Sequence, residues 1–256
     1  MRLQLRNRED SMKMKILALL VMTAAAISLV AQTESPVQTP PAQTAPAAQT
    51  PATTQPARRP LSPSGIASAQ VLGQWVKPNR QTYTMGGETY QGGKWIDITY
   101  GRPLMRGREA FTGTGSDYGK STIAQIPGGP NAPVWRAGAN LSTRLKTEVP
   151  LVIGGATIPA GEYSLFIDLK QPTEWTFIVS SYGAATKIDP NNKDAIYGAF
   201  GYTPDKDVAR APMKVETLPY AVEELTWAFV DMTADSGRIA IMWDKTIATV
   251  PFKVAQ

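Results

Sequence analysis

The sequence has 256 residues, with 26 Lys and Arg against 21 Asp and Glu, and it contains neither Cys nor His. Disulfides, thiolate nucleophiles, imidazole bases and zinc sites built on these two residue types are therefore excluded. Of the net charge of +5, residues 1–31 carry +3, so the basic balance is no argument for nucleic-acid binding. The chemistry that remains rests on carboxylates, Lys, Tyr, Ser, Thr and Arg, or on a hard cation bound by oxygen.

The first 60 residues carry the pattern of an export signal followed by a spacer. A basic start precedes an apolar run from Ile16 to Val30, and small residues lead to a predicted cleavage point between Ala31 and Gln32. The run is shorter than the ~20 residues of a spanning helix, which disfavours an uncleaved anchor. We predict a signal peptide over 1–31, a secreted or periplasmic protein, and no membrane span after cleavage. Residues 32–60 are rich in Pro, Ala, Thr and Gln and predict a disordered linker.

Short strands dominate the rest of the chain. Lys94–Gly101 alternates most clearly, with Ile96 and Ile98 on one face and Trp95 and Asp97 on the other. The predicted strands are Ser68–Trp75, Gln81–Tyr90, Lys94–Gly101, a segment from Val134 to Gly138, Leu141–Ile153, Glu162–Leu169, Trp175–Ser180, Ile196–Tyr202, Val208–Thr217, Glu223–Met232, Arg238–Trp243 and Thr246–Val254.

Turn signals separate these strands at regular spacing. Gly154-Gly155 is typical of a two-residue hairpin, and Pro159-Ala160-Gly161 and Asp244-Lys245 are read as further turns. Helical periodicity is hard to find beyond the signal. We therefore predict one all-β domain over 61–256, an antiparallel β-sandwich of jelly-roll-like or barrel-like form.

Several motifs together resemble a bacterial secreted family known as domain of unknown function 2911. The resemblance spans nearly the whole predicted domain. It implies an exported all-β domain and no established activity. The segments that carry it are Tyr100–Pro103, Arg106–Arg108, Val134–Asn140, Ile153–Gly155, Ile158–Phe166, Tyr197–Phe200 and Trp243–Lys245.

Arginine supplies the sharpest candidate site. The predicted domain has eight Arg, and five of them fall between positions 102 and 144. A guanidinium fork suits carboxylate, phosphate or sulfate, and a Gly-rich loop over 102–133 that folded onto Arg136 would let several forks meet one anion. The alternative is a structural clasp, in which the Arg side chains pair with acidic residues or cap loop carbonyls. The candidate ligand residues are Arg102, Arg106, Arg108, Trp135, Arg136 and Asn140.

The Trp residues offer a second candidate, a platform on which a carbohydrate stacks. Trp75 and Trp135 lie nearest to predicted loops and are the favoured positions for such a platform. Aromatic residues at alternating strand positions are more often part of a core, so the structural interpretation is preferred for the other Trp residues.

Carboxylate groups give weaker signals. Asp189–Asp194 has oxygen atoms at short spacing, but an Asp/Asn turn explains it better than a Ca²⁺ loop. Glu223-Glu224, and Asp231 with Asp235, are conceivable catalytic pairs without a specific signal for glycoside hydrolysis.

The function predicted from the sequence is therefore a noncatalytic exported module that binds an anionic or glycan component of the cell envelope. The alternatives are a carboxylate-based hydrolase acting on glycans and a purely structural envelope protein. We assign no catalytic residue, no metal ligand and no cofactor, and we expect no nucleic-acid partner.

Overall fold

A computed structural model of the chain describes residues 62–77, 87–123 and 133–256. The signal peptide and the linker predicted for the first 60 residues lie outside these ranges and stay predictions. Within the described ranges, no helix combines the length and the apolar character that crossing a bilayer requires.

The described residues form thirteen strands, one short helix and two 3-10 turns. The helix, α1, is Lys120–Ile123, and the 3-10 turns are Gly115–Asp117 and Pro204–Lys206. The strands are β1 Ser64–Val71, β2 Gln74–Val76, β3 Thr89–Gln91, β4 Lys94–Gly101, β5 Thr143–Thr147, β6 Leu151–Ile153, β7 Ala156–Ile158, β8 Gly161–Gln171, β9 Glu174–Ser180, β10 Gly183–Ala184, β11 Ala195–Ile196, β12 Asp207–Val230 and β13 Ser236–Val254.

Nine of these strands form one antiparallel sheet in the order β1-β4-β5-β8-β9-β12-β13-β6-β7. The sheet begins at β1 and ends at β7, so it is open. The predicted all-β class and sandwich-like architecture are confirmed, and the barrel-like alternative is wrong because the two end strands do not pair.

The long strand β12 carries the chain from one layer of the sandwich to the other. Its first part, Asp207–Met213, pairs with β9, and the rest pairs with β13 from Lys214 to Val230. The register shifts near Val222, where the extra residues of β12 let the strand bend. One layer is thus β1, β4, β5, β8, β9 and the start of β12, and the other is the rest of β12 with β13, β6 and β7.

The inner faces of both layers supply the main core. Alternate residues along each strand point inward, so every strand contributes a row of apolar side chains. Each large side chain fully removed from water contributes about 1.5–3 kcal/mol. Fully buried members include Ile96, Ile98, Leu145, Leu165, Phe177, Leu225, Ile239 and Val250.

A second, smaller cluster covers the opposite face of β8 and β9. Phe166 and Ile178 point away from the main core and are still fully buried. The chain from Tyr182 to Tyr202 folds over them, and the Tyr202 ring meets the Phe166 ring with centroids 5.1 Å apart. This cover explains why β8 is apolar on both faces in its middle part.

Two strand predictions hold in detail. Lys94–Gly101 is a strand with the predicted bounds and with Ile96 and Ile98 buried. The Gly154-Gly155 hairpin joins β6 to β7, and both Gly have positive φ angles, as a two-residue hairpin of mirror-image type requires.

Other strand predictions are wrong at the turns. Asp244-Lys245 does not reverse the chain: Asp244 takes a positive φ of 53° inside β13, so two predicted strands are one. The predicted strands Val208–Thr217 and Glu223–Met232 likewise merge into β12.

Three segments have less strand than predicted. Ser68–Trp75 is interrupted at Leu72, which has a φ of 61°, and Leu141–Ile153 is interrupted between β5 and β6. Ile196–Tyr202 is strand only at its first residue. The segment from Val134 makes a single bridge, between Trp135 and Ile167. The prediction for Gln81–Tyr90 lies partly outside the described residues, and Thr89 and Tyr90 are strand.

Candidate functional site

Arg102 follows β4 and ties that strand end to β12. Its Nη2 lies 2.8 Å from Oε2 of Glu224, and both side chains are about one-third exposed or less. Its backbone N–H donates to the carbonyl of Pro63 at 2.8 Å, and its methylene groups lie directly against Gly65. The guanidinium is thus used to join two segments of the sandwich.

Arg106 and Arg108 lie in the turn after Arg102. Arg106 has a φ of 50°, and its backbone N–H donates to Oε1 of Glu223 at 2.8 Å. Arg108 folds back on its own loop, with Nε donating to the carbonyl of Met105 at 3.1 Å and Nη2 to that of Leu104 at 2.7 Å. Arg108 therefore caps loop carbonyls, as the clasp alternative expects.

Trp135 is a core residue. It is 1% exposed, and its ring stacks on Trp243 with centroids 6.2 Å apart and an interplanar angle of 14°. Phe111 and Trp175 meet it edge-on. The side chain is closed to a ligand in this structure.

Arg136 closes the loop that follows Trp135. Its Nη1 donates to the carbonyl of Asn140 at 3.0 Å and its Nε to that of Gly138 at 3.4 Å. Burial lowers the pKa of Arg136, and a smaller electrostatic effect of Tyr197 acts in the opposite direction. Asn140 has a φ of 64° and donates from Nδ2 to the carbonyl of Ser62 at 3.3 Å.

The six predicted residues are therefore only partly brought together. Arg136 contacts Asn140, and Arg102 and Arg106 reach the neighbouring acidic residues Glu224 and Glu223. Trp135 stays in the core. We call the loops that hold Arg102, Arg106, Arg108, Arg136 and Asn140 the arginine corner.

The other carboxylate candidates are held locally. In the loop 189–194, Asp189 Oδ1 accepts from the backbone N–H of Asn191, which is the predicted turn chemistry. Asp231 pairs with Arg238, and Asp235 Oδ1 accepts from the Thr233 hydroxyl. Among the described residues, no three acidic side chains gather as a metal site would require.

A buried carboxylate that the sequence analysis did not single out lies at the start of β12. Asp207 accepts from the Tyr202 hydroxyl at 2.6 Å and from Nη1 of Arg210 at 2.7 Å. Arg210 also reaches Asp168 at 3.3 Å. Burial raises the pKa of Tyr202, and the hydrogen bond to Asp207 adds to the rise. The network joins β8 to β12 and pins the covering loop.

Two Trp side chains, Trp75 and Trp95, are exposed, at 68% and 44%, and the other four are buried. Trp75 packs against Tyr90 with ring centroids 5.2 Å apart, and the Tyr90 hydroxyl accepts from the backbone N–H of Gly73 at 2.8 Å. This pair lines a groove of about 590 Å³ together with Gln70, Gly73, Met232, Thr233 and Ala234. We call it the aromatic groove.

A second groove of about 580 Å³ lies at the other end of β1. Ile66 and Leu141 form an exposed apolar rim, and Arg144, Thr99 and Asn140 supply polar groups. Asn140 is thus the predicted site residue that reaches a groove. We call this the Arg144 groove.

A comparison with protein-family models identifies the family of this chain. The family model described as protein of unknown function DUF2911 matches residues 82–252. The chain belongs to this family. No curated protein and no solved structure matches the chain.

The DUF2911 match confirms the predicted family and covers all six predicted site residues. It begins after β1 and β2, so Trp75 and Gln70 precede it while Tyr90 and Arg144 lie within it. The family description states no activity. The surfaces of this DUF2911 protein that could hold a ligand are the two grooves and the arginine corner.

Sequence reasoning named Trp75 but missed Tyr90, Gln70 and Arg144 as site residues. For Arg144 one available signal was the alternation in β5, where Arg144 and Lys146 alternate with the buried residues Thr143, Leu145 and Thr147 and so lie on the other face. The contact between Trp75 and Tyr90 has no sequence signal, because it depends on how β2 pairs with β3.

Proposed function

We propose that this DUF2911 protein is an exported, noncatalytic module that binds a glycan through the aromatic groove. The observation that carries the proposal is the exposure of Trp75, whose ring is 68% accessible while it packs against Tyr90. A large aromatic side chain held at a surface groove marks an interaction site more often than a scattered apolar residue does.

The chemistry of the groove suits a sugar ring. An indole face carries partial negative charge, and the C–H groups on one side of a pyranose carry partial positive charge, so the two stack favourably. Gln70 and Thr233 lie beside the rings and offer the donors and acceptors that hydroxyl groups need. Because Tyr90 is already fixed by the hydrogen bond from Gly73, little ordering is needed on binding.

The contacts inside the arginine corner argue against the small anion that the sequence predicts there, and they favour a glycan at the aromatic groove. Arg102 is paired with Glu224, and Arg108 and Arg136 donate to carbonyls of their own loops. An anion would have to compete with these internal partners. The aromatic groove needs no such exchange.

Export rests on the sequence alone, through the basic start, the apolar run Ile16–Val30 and the small residues before Gln32. N-terminal sequencing of protein recovered outside the cytoplasm is expected to begin at Gln32. Recovery of the intact N-terminus in the cytoplasm would contradict export.

The binding test uses the full chain and defined oligosaccharides in calorimetry. The probes are cellotetraose, chitotetraose and tetragalacturonate, with insoluble peptidoglycan in a pull-down. At least one is expected to bind saturably, and Trp75→Ala is expected to weaken it by about tenfold or more, since a stacked aromatic anchor carries much of such an interaction. The affinity of Trp75→Phe is expected to lie between that of the unchanged chain and that of Trp75→Ala.

Tyr220→Ala is the matched control. Tyr220 is also a strongly exposed aromatic side chain, at 60%, but it lies in the middle of β12 outside the groove. Its removal is expected to leave binding unchanged. Release of shorter sugars from any probe would favour the hydrolase alternative, and failure of every probe to bind a correctly folded chain would contradict the proposal.

A further inference from the structure

The aromatic groove and the Arg144 groove are both lined by outward-facing residues of β1, Gln70 in the first and Ile66 in the second. In β1, Ser64, Ile66, Ser68 and Gln70 point outward, because Ala67 and Val71 between them are buried. The register places Gln70 beside Trp95 and Ile66 beside Thr99, and Thr99 in turn lies opposite Arg144 of β5. We call this solvent side of β1, β4 and β5, together with the aromatic groove at its β2–β3 end, the outer face.

The outer face has the length of a short oligosaccharide. Ile66 and Gln70 are four residues apart on one strand, which is about 13 Å at a rise of ~3.3 Å per residue. Gln70 lines the aromatic groove and Ile66 lines the Arg144 groove. Trp75 lies five residues beyond Gln70, so an oligosaccharide that stacks on Trp75 has to extend over about 30 Å, at the same rise per residue, to reach the level of Arg144.

Arg144 is the half-buried cation at the far end of this path. Its side chain is 20% exposed, and Nη1 donates to the hydroxyl of Ser164 at 2.8 Å and to the carbonyl of Tyr182 at 2.6 Å. These two partners are neutral. Its Nη2 lies 3.8 Å from Oε2 of Glu162, which is beyond hydrogen-bond distance, and the Glu162 side chain is 59% exposed.

Arg144 thus has rigid geometry and incomplete charge neutralisation. The two neutral acceptors fix the plane of the guanidinium, while its nearest carboxylate, Glu162, is exposed and shared with Lys146. Burial lowers the pKa of Arg144, with Glu162 acting in the opposite direction, and an incoming carboxylate would reverse the effect of burial. A planar, fixed guanidinium suits a carboxylate ligand in two-point contact.

The middle of the outer face carries charges of both signs. Asp97 lies opposite Lys146 of β5, and Glu148 Oε2 accepts from the backbone N–H of Trp95 at 2.8 Å. At the Arg144 groove the rim residues Ile66 and Leu141 are 63% and 43% exposed. They offer an apolar contact for a methyl or acetyl substituent next to the carboxylate.

We propose that the outer face binds an extended acidic oligosaccharide, with one sugar ring on Trp75 and Tyr90 and the carboxylate of a sugar several rings further along on Arg144. The inference rests on the proposed glycan-binding function and specifies its ligand class. It assigns Arg144 as the residue that selects charged over neutral glycans, a role that the arginine corner was expected to fill.

The test compares two probes with the same sugar backbone, heptagalacturonate and its methyl ester, which are long enough to reach both grooves, in calorimetry with the full chain. The acid is expected to bind about tenfold more tightly than the ester, the scale of one charge-assisted contact. Arg144→Gln is expected to lower the affinity for the acid to that for the ester. The affinity for the ester is expected to stay unchanged. Trp75→Ala is expected to weaken both probes equally.

Glu162→Gln is expected to change the affinity for the acid in the opposite direction. It removes the carboxylate that competes for Arg144, so the affinity for the acid is expected to rise about two- to threefold while that for the ester stays constant. Because Glu162 is exposed, this variant is expected to fold even if Arg144→Gln does not. The melting temperature of each variant checks folding.

The outcomes separate the two proposals. Equal binding of acid and ester by the unchanged chain, or an equal loss of both in Arg144→Gln, would overturn the acidic ligand while leaving glycan binding intact. Failure of both probes and of the neutral oligosaccharides to bind would overturn the proposed function itself. A fall in acid affinity in Glu162→Gln would contradict competition at Arg144.

Discussion

The arginine corner and the outer face contain similar residue types and put them to different uses. In the arginine corner, Arg108 and Arg136 are fixed by carbonyls of their own loops, and Arg102 is fixed by Glu224. On the outer face, Trp75 is exposed and the closest carboxylate to Arg144 lies 3.8 Å away. The density of Arg and Trp in a sequence therefore does not locate a binding surface. What locates it is which of these side chains the fold leaves incompletely satisfied.

The largest expected effect separates the core Trp from the surface Trp. Trp135→Ala removes a ring that is 1% exposed and packed among three other aromatic side chains, so the free energy of unfolding is expected to fall by about 3–5 kcal/mol. Trp75→Ala is expected to change it by less than about 0.5 kcal/mol. Denaturant titration measures both. A similar loss of stability in the two variants would break the distinction between core and surface.

A smaller effect is expected from the arginine corner. Arg108→Ala with Arg136→Ala leaves the carbonyls of Leu104, Met105 and Asn140 without their guanidinium donors, and the combined loss of stability is expected to be about 1–3 kcal/mol. Glycan affinity at 25 °C is expected to stay constant, because neither side chain lines a groove described above. If the double variant folded but no longer bound the glycan, the binding site would be the arginine corner and not the aromatic groove.

The family, the all-β class and the clearest strand could be predicted because they depend on local patterns. In β4 the period-2 alternation is a property of consecutive residues and survives in any sandwich. The Gly154-Gly155 turn could be predicted for the same reason, since a two-residue hairpin of type I′ needs positive φ at both positions and Gly adopts it readily.

The lengths of β12 and β13 could not be predicted, because tertiary context overrode local turn chemistry. Asp244-Lys245 has the composition of a turn, but Asp244 takes its positive φ inside a continuous strand paired with β12. The register shift near Val222 bends β12 between the layers, and its cause is the packing of two sheets, which the sequence of one segment does not contain.

The candidate site was predicted in part. Trp75 and the idea of a stacking platform came from the sequence, as did the clasp alternative for Arg108 and Arg136. Arg144 could not be separated from the other Arg residues, because its distinguishing feature is a pair of neutral partners from β8 and from Tyr182, 20 and 38 residues away. Such partners depend on strand order.

The smallest expected effect concerns Arg106, the member of the arginine corner for which the described residues provide a backbone contact and no side-chain bond. Its φ of 50° places a long side chain in the left-handed region, which costs about 1–2 kcal/mol for most residues and less for Asn. Arg106→Asn is therefore expected to raise the free energy of unfolding by about 0.5–1 kcal/mol and to leave affinity for heptagalacturonate unchanged. Arg106→Lys, which keeps the charge and the strain, is the matched control and is expected to leave both quantities unchanged. If Arg106→Asn weakened the acid probe and Arg106→Lys did not, the charge at this turn would take part in binding, and the outer face would extend to the arginine corner.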